Sequence, residues 1–361
     1  METSSSATTS PRIAPGNDVR QWAKSAKGIE RKSRPVFVVG CHRSGTNLLY
    51  DTLLSAGGFA IYRGYLPIYK MLIPRFGSLA KLSNRKSALQ TWLSSKGFRR
   101  SGLDAEELAV RILNECQTGG DFVRIVMNAI TLSQNATRWA VYDPDNLLYI
   151  PDIKADIPEA LFIHIIRDGR DVALSLSRMG GFKSLPWRRE GEGLLPTALY
   201  WEWMVRKGRE FGRDLPTDYL EVRYEELVSD PHATLRQIEE FLDHDLSYDR
   251  IQNANLGRLR EPNSSFSDEE HQHSPVQRWR EKLAPAQIDA IEATIGDCLG
   301  ELGYALNCTG RKSGLREKFT RAFYLNLLEA KSWLKNRTPA GRLTNLEALE
   351  LSPSGELTEA E

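Results

Sequence analysis

Pro35-Val36-Phe37-Val38-Val39-Gly40-Cys41-His42-Arg43-Ser44-Gly45-Thr46-Asn47-Leu48-Leu49 reads as a strand, a tight glycine loop and the first turn of a helix. The apolar run Val36 to Val39 does not alternate with polar residues, so both its faces are expected to be covered, as in a parallel sheet. Gly40 and Gly45 bracket a short loop with hydroxyls at Ser44 and Thr46. The backbone N–H groups of Gly45, Thr46 and Asn47 then open a helix N-terminus, where unpaired donors and the helix dipole favour an anion. The glycine spacing is that of a nucleotide phosphate loop. Thr46, however, stands where such a loop carries lysine, and Arg43 brings the charge instead. A phosphate-like ligand fits this stretch; so, taken alone, does a plain strand-to-helix turn.

A second stretch repeats the pattern. Leu161-Phe162-Ile163-His164-Ile165-Ile166 is an apolar strand, and Arg167-Asp168-Gly169-Arg170-Asp171 turns it into a helix that carries Ser175. Arg167 ends the strand, where open α/β sheets bind ligands. Asp168 or Asp171 serves as the helix cap. Ser175 follows Arg167 by eight residues, about two helical turns, so both can meet one anionic group.

Together, Arg43-Ser44-Gly45-Thr46 and the Arg167…Ser175 pair resemble the two motifs of the sulfotransferase family that uses 3′-phosphoadenosine 5′-phosphosulfate (PAPS). The likeness runs over about residues 35–306 and is nearest to the bacterial and tyrosylprotein-type branch, where Arg rather than Lys precedes Ser-Gly-Thr. It implies an α/β fold of the P-loop type in three layers, with a central, mainly parallel sheet flanked by helices and a helical insert. It implies that Arg43, Ser44, Gly45, Thr46 and Asn47 hold the 5′-phosphosulfate, and that Arg167 and Ser175 hold the 3′-phosphate. Tyr224-Glu225-Glu226-Leu227 resembles the element beside the adenine, which makes Tyr224 a surface for the base. Arg278, with Arg280 second, stands where relatives bring a late basic segment to the 3′-phosphate. The implied reaction moves a sulfuryl group from PAPS, in line, to a hydroxyl or amine, leaving PAP and requiring no metal. The acceptor stays open among small molecules, carbohydrates, lipids and protein tyrosine.

The sequence departs from that family pattern twice. Gly64 is followed by Tyr65 where the tyrosylprotein branch reads Gly-Glu-Glu, and Tyr142 stands where relatives place the lysine of Glu-Lys-Thr-Pro, with Asp143 at the threonine. Asp143 is therefore the leading candidate for the base, with His42 and Tyr65 behind it, and Arg43 substitutes for the lysine's charge. Two other readings compete. One is a non-catalytic protein that keeps the fold and binds PAPS or PAP. The other is a P-loop kinase or NTPase, against which the missing Gly-Lys-Ser/Thr counts.

Composition sets outer bounds. The chain has 361 residues, 41% hydrophobic and 26% charged, as in ordinary globular domains. A net charge of +1 provides no field for a polyanion, so no nucleic-acid partner is expected. No apolar run approaches the ~20 residues of a membrane span, and Met1-Glu2-Thr3-Ser4-Ser5 does not open a signal peptide. Cys41, Cys116, Cys298 and Cys308 are scattered without a C-x-x-C pair, which suits a reduced cytoplasmic protein. His271 and His273 lack further ligands at metal spacing, so no metal is expected.

The chain divides into a disordered lead-in (1–34), the main domain (35–308) with a helical insert at 67–140, a basic amphipathic helix (309–337) and a disordered acidic tail (338–361). Phe59-Ala60-Ile61-Tyr62 and Tyr219-Leu220-Glu221-Val222-Arg223 read as further strands. Residues 311–337 hold eight Lys/Arg against two Glu, with Leu315, Phe319, Ala322, Phe323, Ala330, Trp333 and Leu334 on one helical stripe. Such a helix either makes peripheral contact with an anionic membrane or docks on its own domain.

Overall fold

The computed structural model describes residues 29–179, 182, 193–254, 256, 276–307 and 314–351. The opening stretch folds as β1 (Val36–Gly40), a loop and α1 (Thr46–Ser55). After the short β2 (Phe59–Ala60), the chain leaves the sheet for an insert built on α2 (Leu82–Leu93), α3 (Ala105–Glu115) and α4 (Gly119–Ser133). It returns as β3 (Arg138–Tyr142), then β4 (Leu161–Ile166), which leads into α5 (Gly169–Ser177). There follow α6 (Leu194–Gly212), β5 (Tyr219–Arg223), α7 (Pro231–Leu242), α8 (Pro285–Glu301) and α9 (Leu315–Arg337).

All strand pairs are parallel, in the order β2-β3-β1-β4-β5. Val38 in the middle strand registers with Tyr142 on one side and Ile163 on the other. The unbroken apolar run of β1 has its reason here. Phe37 and Val39 join Trp139 and Phe162 in the core shared with the insert, α6 and α8; Val36 and Val38 join Ile163 and Ile165 in the core under α1 and α7. Each such side chain, fully buried, contributes about 1.5–3 kcal/mol of transfer free energy. The three-layer parallel α/β class expected from the sequence is the one observed.

Local chemistry sets the insert's helices. Asp104 caps α3 by accepting the Glu107 N–H at 2.8 Å, and Thr118 with Asp121 forms a capping box on α4. Two expected boundaries shift. The insert stops at Ser133, because Arg138 to Tyr142 pair with the sheet. The second strand covers only Phe59–Ala60, because the Gln134 side chain takes both backbone groups of Ile61, at 2.7 and 2.9 Å.

The C-terminal region also differs from expectation. Residues 338–351 are ordered rather than a disordered tail: the turn Pro339–Leu343 packs on residues 73–76, and Leu349 is 1% exposed in the core. In the lead-in, residues 29–34 are likewise ordered, with Arg31 and Arg34 paired to Asp218. Residues 1–28, His271, His273, Cys308 and 352–361 lie outside the described residues. Among the described residues no helix is long and apolar enough to cross a membrane, and no three His, Cys, Asp or Glu side chains cluster as metal ligands.

Candidate active site

Four parallel strands end on one cleft of about 790 Å³. The loop after β1 contributes His42, Arg43, Gly45, Thr46 and Asn47; β3 is followed by Asp143, β4 by Arg167 and β5 by Tyr224. This is the C-terminal edge at which open α/β sheets place ligands. Gly45 has φ +97°, and a Cβ there would stand 2.4 Å from a Tyr224 ring carbon. Both the left-handed turn and the close approach therefore demand glycine.

The two arginine motifs meet. Arg43 donates from Nε to Ser175 Oγ at 2.9 Å, and Arg167 donates from Nη1 to the Arg43 carbonyl at 3.2 Å. The Arg167 guanidinium also stacks 4.3 Å from the centre of the Tyr224 ring. Burial, and then the Arg167 charge, lower the Arg43 pKa. Each guanidinium is a planar fork of donors of the kind that binds carboxylate or phosphate bidentately. Asp171, 4.0 Å from Arg167, accepts the N–H groups of Gln277 and Trp279 at 2.9 Å each. That clamp carries Arg278 close enough for its charge to act on Tyr224. Arg280 instead bonds Gln277 and Asn307 and stacks on Trp279.

Two loop residues differ from expectation. Arg43 turns toward Ser175 rather than over its own loop, because its backbone has φ +69° and Ser175 accepts its Nε–H. Ser44 is fully buried, off the cleft wall, and its hydroxyl finds no partner among the described residues.

Across the cleft lies an acid–base cluster. Asp143 caps the helical turn Pro144–Tyr149, its Oδ1 accepting the Asp145 N–H at 3.1 Å. Its Oδ2 is buried with no hydrogen-bond partner among the described residues. Burial raises the Asp143 pKa, with Lys70 partly opposing. Asp145 pairs with Lys70 and lies 3.1 Å from His42 Nε2. Burial pushes Asp145 up, but Lys70 and His42 outweigh it and hold the carboxyl well below its usual range. Burial likewise pulls Lys70 down, while Asp145 and then Asp143 keep it charged far above an ordinary lysine. Burial, and then the Asp143 charge, raise the Tyr65 pKa far above that of an ordinary phenol, which speaks against it as a base.

Lys70 was not singled out in the sequence. It sits in a π-helical turn, Ile68–Leu72, of the insert, and its only signal was a lone charge inside the apolar run Leu66 to Ile73. Tyr142, at the position of the missing lysine, packs its ring 4.8 Å from that of Tyr50. A further lysine, Lys335 of α9, feels the same carboxylates. Burial lowers its pKa to about 8, with Asp145 opposing. At the mouth, Lys96 pairs with Glu350 at 2.6 Å and Arg63 with Asp51 at 2.8 Å. Ala348, Leu349 and Glu350 of the C-terminal segment complete that wall.

Residues 35–249 match the sulfotransferase family model. No curated protein matches. Among solved structures, the sulfotransferase domain of the Synechococcus PCC 7002 olefin synthase is 19% identical, covering 78% of this chain and 98% of that one with a TM-score of 0.49. Sulfotransferase STF9 from Mycobacterium avium is 14% identical, over 81% of this chain and 83% of that one, at 0.42. Mouse sulfotransferase SULT7A1, complexed with PAP, is 16% identical, over 78% and 92%, at 0.41. The family match carries the assignment rather than these distant likenesses: the chain belongs to the sulfotransferase family.

Proposed function

We propose that the cleft binds PAPS against Arg43, Arg167 and the loop after β1, and that Asp143 prepares a hydroxyl or amine acceptor for sulfuryl transfer. Family membership establishes the reaction class. The observation that carries the donor assignment is the Arg43–Arg167–Ser175 cluster at the ends of β1 and β4. Arg167, Ser175 and Arg278 are assigned to the 3′-phosphate, which separates PAPS from ATP. The N–H groups of Gly45, Thr46 and Asn47, at the start of α1, are assigned to the phosphosulfate. Arg43 spans the two. Tyr224 already carries Arg167 on its ring and packs on Gly45; its role is to hold them rather than to stack on the base.

The donor supplies the sulfuryl group and the leaving phosphate; the protein supplies position and charge. Asp143 takes the acceptor's proton at Oδ2, the oxygen left without a partner, and its raised pKa brings it nearer working pH. Lys70 sets a fixed positive charge beside it, in the part the missing lysine would play. Asp145 positions Lys70 and His42, so His42 is a positioning residue. The presence of Lys70 supports an enzyme over a non-catalytic binder, and Thr46 in place of the phosphate-loop lysine speaks against a kinase or NTPase. The buried free thiols of Cys41, Cys116 and Cys298 suit a reducing, cytoplasmic setting.

Thermal denaturation tests the donor. PAP at a hundred times its dissociation constant is expected to add about 2.7 kcal/mol, visible as a rise in melting temperature, while ATP with Mg²⁺ adds nothing comparable. A rise with ATP alone would favour the kinase reading, and no rise with either would remove the donor assignment.

A further inference from the structure

The apolar stripe of α9 is not the side by which the helix docks. Arg321 pairs with the buried Glu202, Tyr324 and Leu328 are buried, and Lys335 is half-buried. At 3.6 residues per turn these positions share one face. Leu315, Phe319, Phe323 and Trp333 fall on the opposite face and are 89%, 74%, 58% and 59% exposed. The Phe319 and Phe323 rings stack on each other at 6.5 Å. The face runs the length of a helix of 23 residues, about 34 Å.

Charge distinguishes what can cover it. Arg316 and Arg337 are exposed on this same side, one near each end. The helix has two acids. Glu329 is turned to α6, where it bonds Trp203 at 3.0 Å and Lys207 at 2.9 Å, and Glu317 is partly buried on the docked side. The outward face is thus apolar and cationic, with no acid among its described residues. A second copy of the chain would bring two such cationic faces together, which repulsion disfavours. An anionic bilayer answers both features: headgroup charge for the arginines, and an interfacial layer for phenylalanine, leucine and tryptophan.

We propose that this face of α9 lies flat on an anionic lipid surface and holds the enzyme at the membrane without spanning it. The inference stands on the helix alone and does not depend on the donor or base assignments.

Co-sedimentation of the full chain with vesicles tests it, using phosphatidylcholine alone and phosphatidylcholine with about a third phosphatidylserine. Binding is expected only to the anionic vesicles and should weaken with added salt. Phe319→Glu with Phe323→Glu should lower partitioning at least about tenfold, and Arg316→Gln by about fivefold, with unchanged melting temperature because these side chains are exposed. Should the double variant melt early, Trp333→Gln reads the same face with one substitution. No binding to anionic vesicles at low salt would overturn the proposal, as would equal binding by the wild type and a stably folded double variant. A dimer in size-exclusion chromatography that the double variant abolishes would also overturn it, in favour of a second copy.

Discussion

Arg43, Arg167 and Tyr224 reach the cleft from chain that directly follows β1, β4 and β5, whereas Lys70 reaches it from the insert, and Lys335 of α9 stands near enough for its charge to feel Asp145. The first wall is made by strand ends, so its residues stand beside readable strand-and-turn patterns. The second is assembled from segments far apart in the chain, which meet only because the insert and α9 pack over the sheet. One wall is arginine-rich and suits a multiply charged donor. The other pairs Asp145 with the half-buried Lys70 beside Asp143 and suits proton transfer. The difference teaches that the arginines of this cleft are placed by local sequence, while the ion pairing of its carboxylates is a product of packing.

That contrast can be broken at its strongest point with Asp143→Asn. The amide keeps the Oδ1 that caps residues 144–149, so the fold should survive. Turnover should fall by about 10²–10⁴-fold while PAP affinity stays put; full activity would remove Asp143 as the base. In the wild type the base must be ionised. Because burial raises the Asp143 pKa, turnover should fall off on acidification at a pH above the ordinary aspartate range. A pH–rate profile checks this.

Lys70→Met sharpens the same side. Loss of the fixed charge should lower turnover by about 10²–10³-fold. Because Lys70 lowers the Asp143 pKa, its removal should also move the acidic limb to higher pH. Lys70→Arg keeps the charge and serves as the fold control. An unmoved limb in Lys70→Met would separate the lysine from the base.

On the other wall, Arg43→Ala and Arg167→Ala should each weaken PAP binding by about 10–100-fold, the range for a lost charged hydrogen bond. Calorimetric titration checks it. Unchanged affinity in both would sink the arginine wall as the donor site.

Legibility followed chain locality. The strand-loop-helix at 35–49 and its repeat at 161–175 were readable because an apolar run, a glycine at a left-handed turn and a charged strand end are all written in contiguous residues. Asp143 was also visible, as the residue after a strand and before a proline. Lys70 was not, because one lysine in an apolar run does not say which carboxylates it will find. Nor did the sequence show that Arg43 would turn to Ser175, a choice made by a loop backbone at φ +69° and a serine two helical turns beyond β4.

By itself, then, the sequence determined a parallel sheet between two helical layers with two arginines just past strand ends, because burial on both faces and tight turns are local demands on residue type. Tertiary structure decided the partners of the buried charges and the outward side of α9. An amphipathic stripe specifies that a helix has two faces, not which one docks. Here Glu202, buried in α6 and paired to Arg321, selects the docked face and leaves Phe319, Phe323 and Trp333 to the outside.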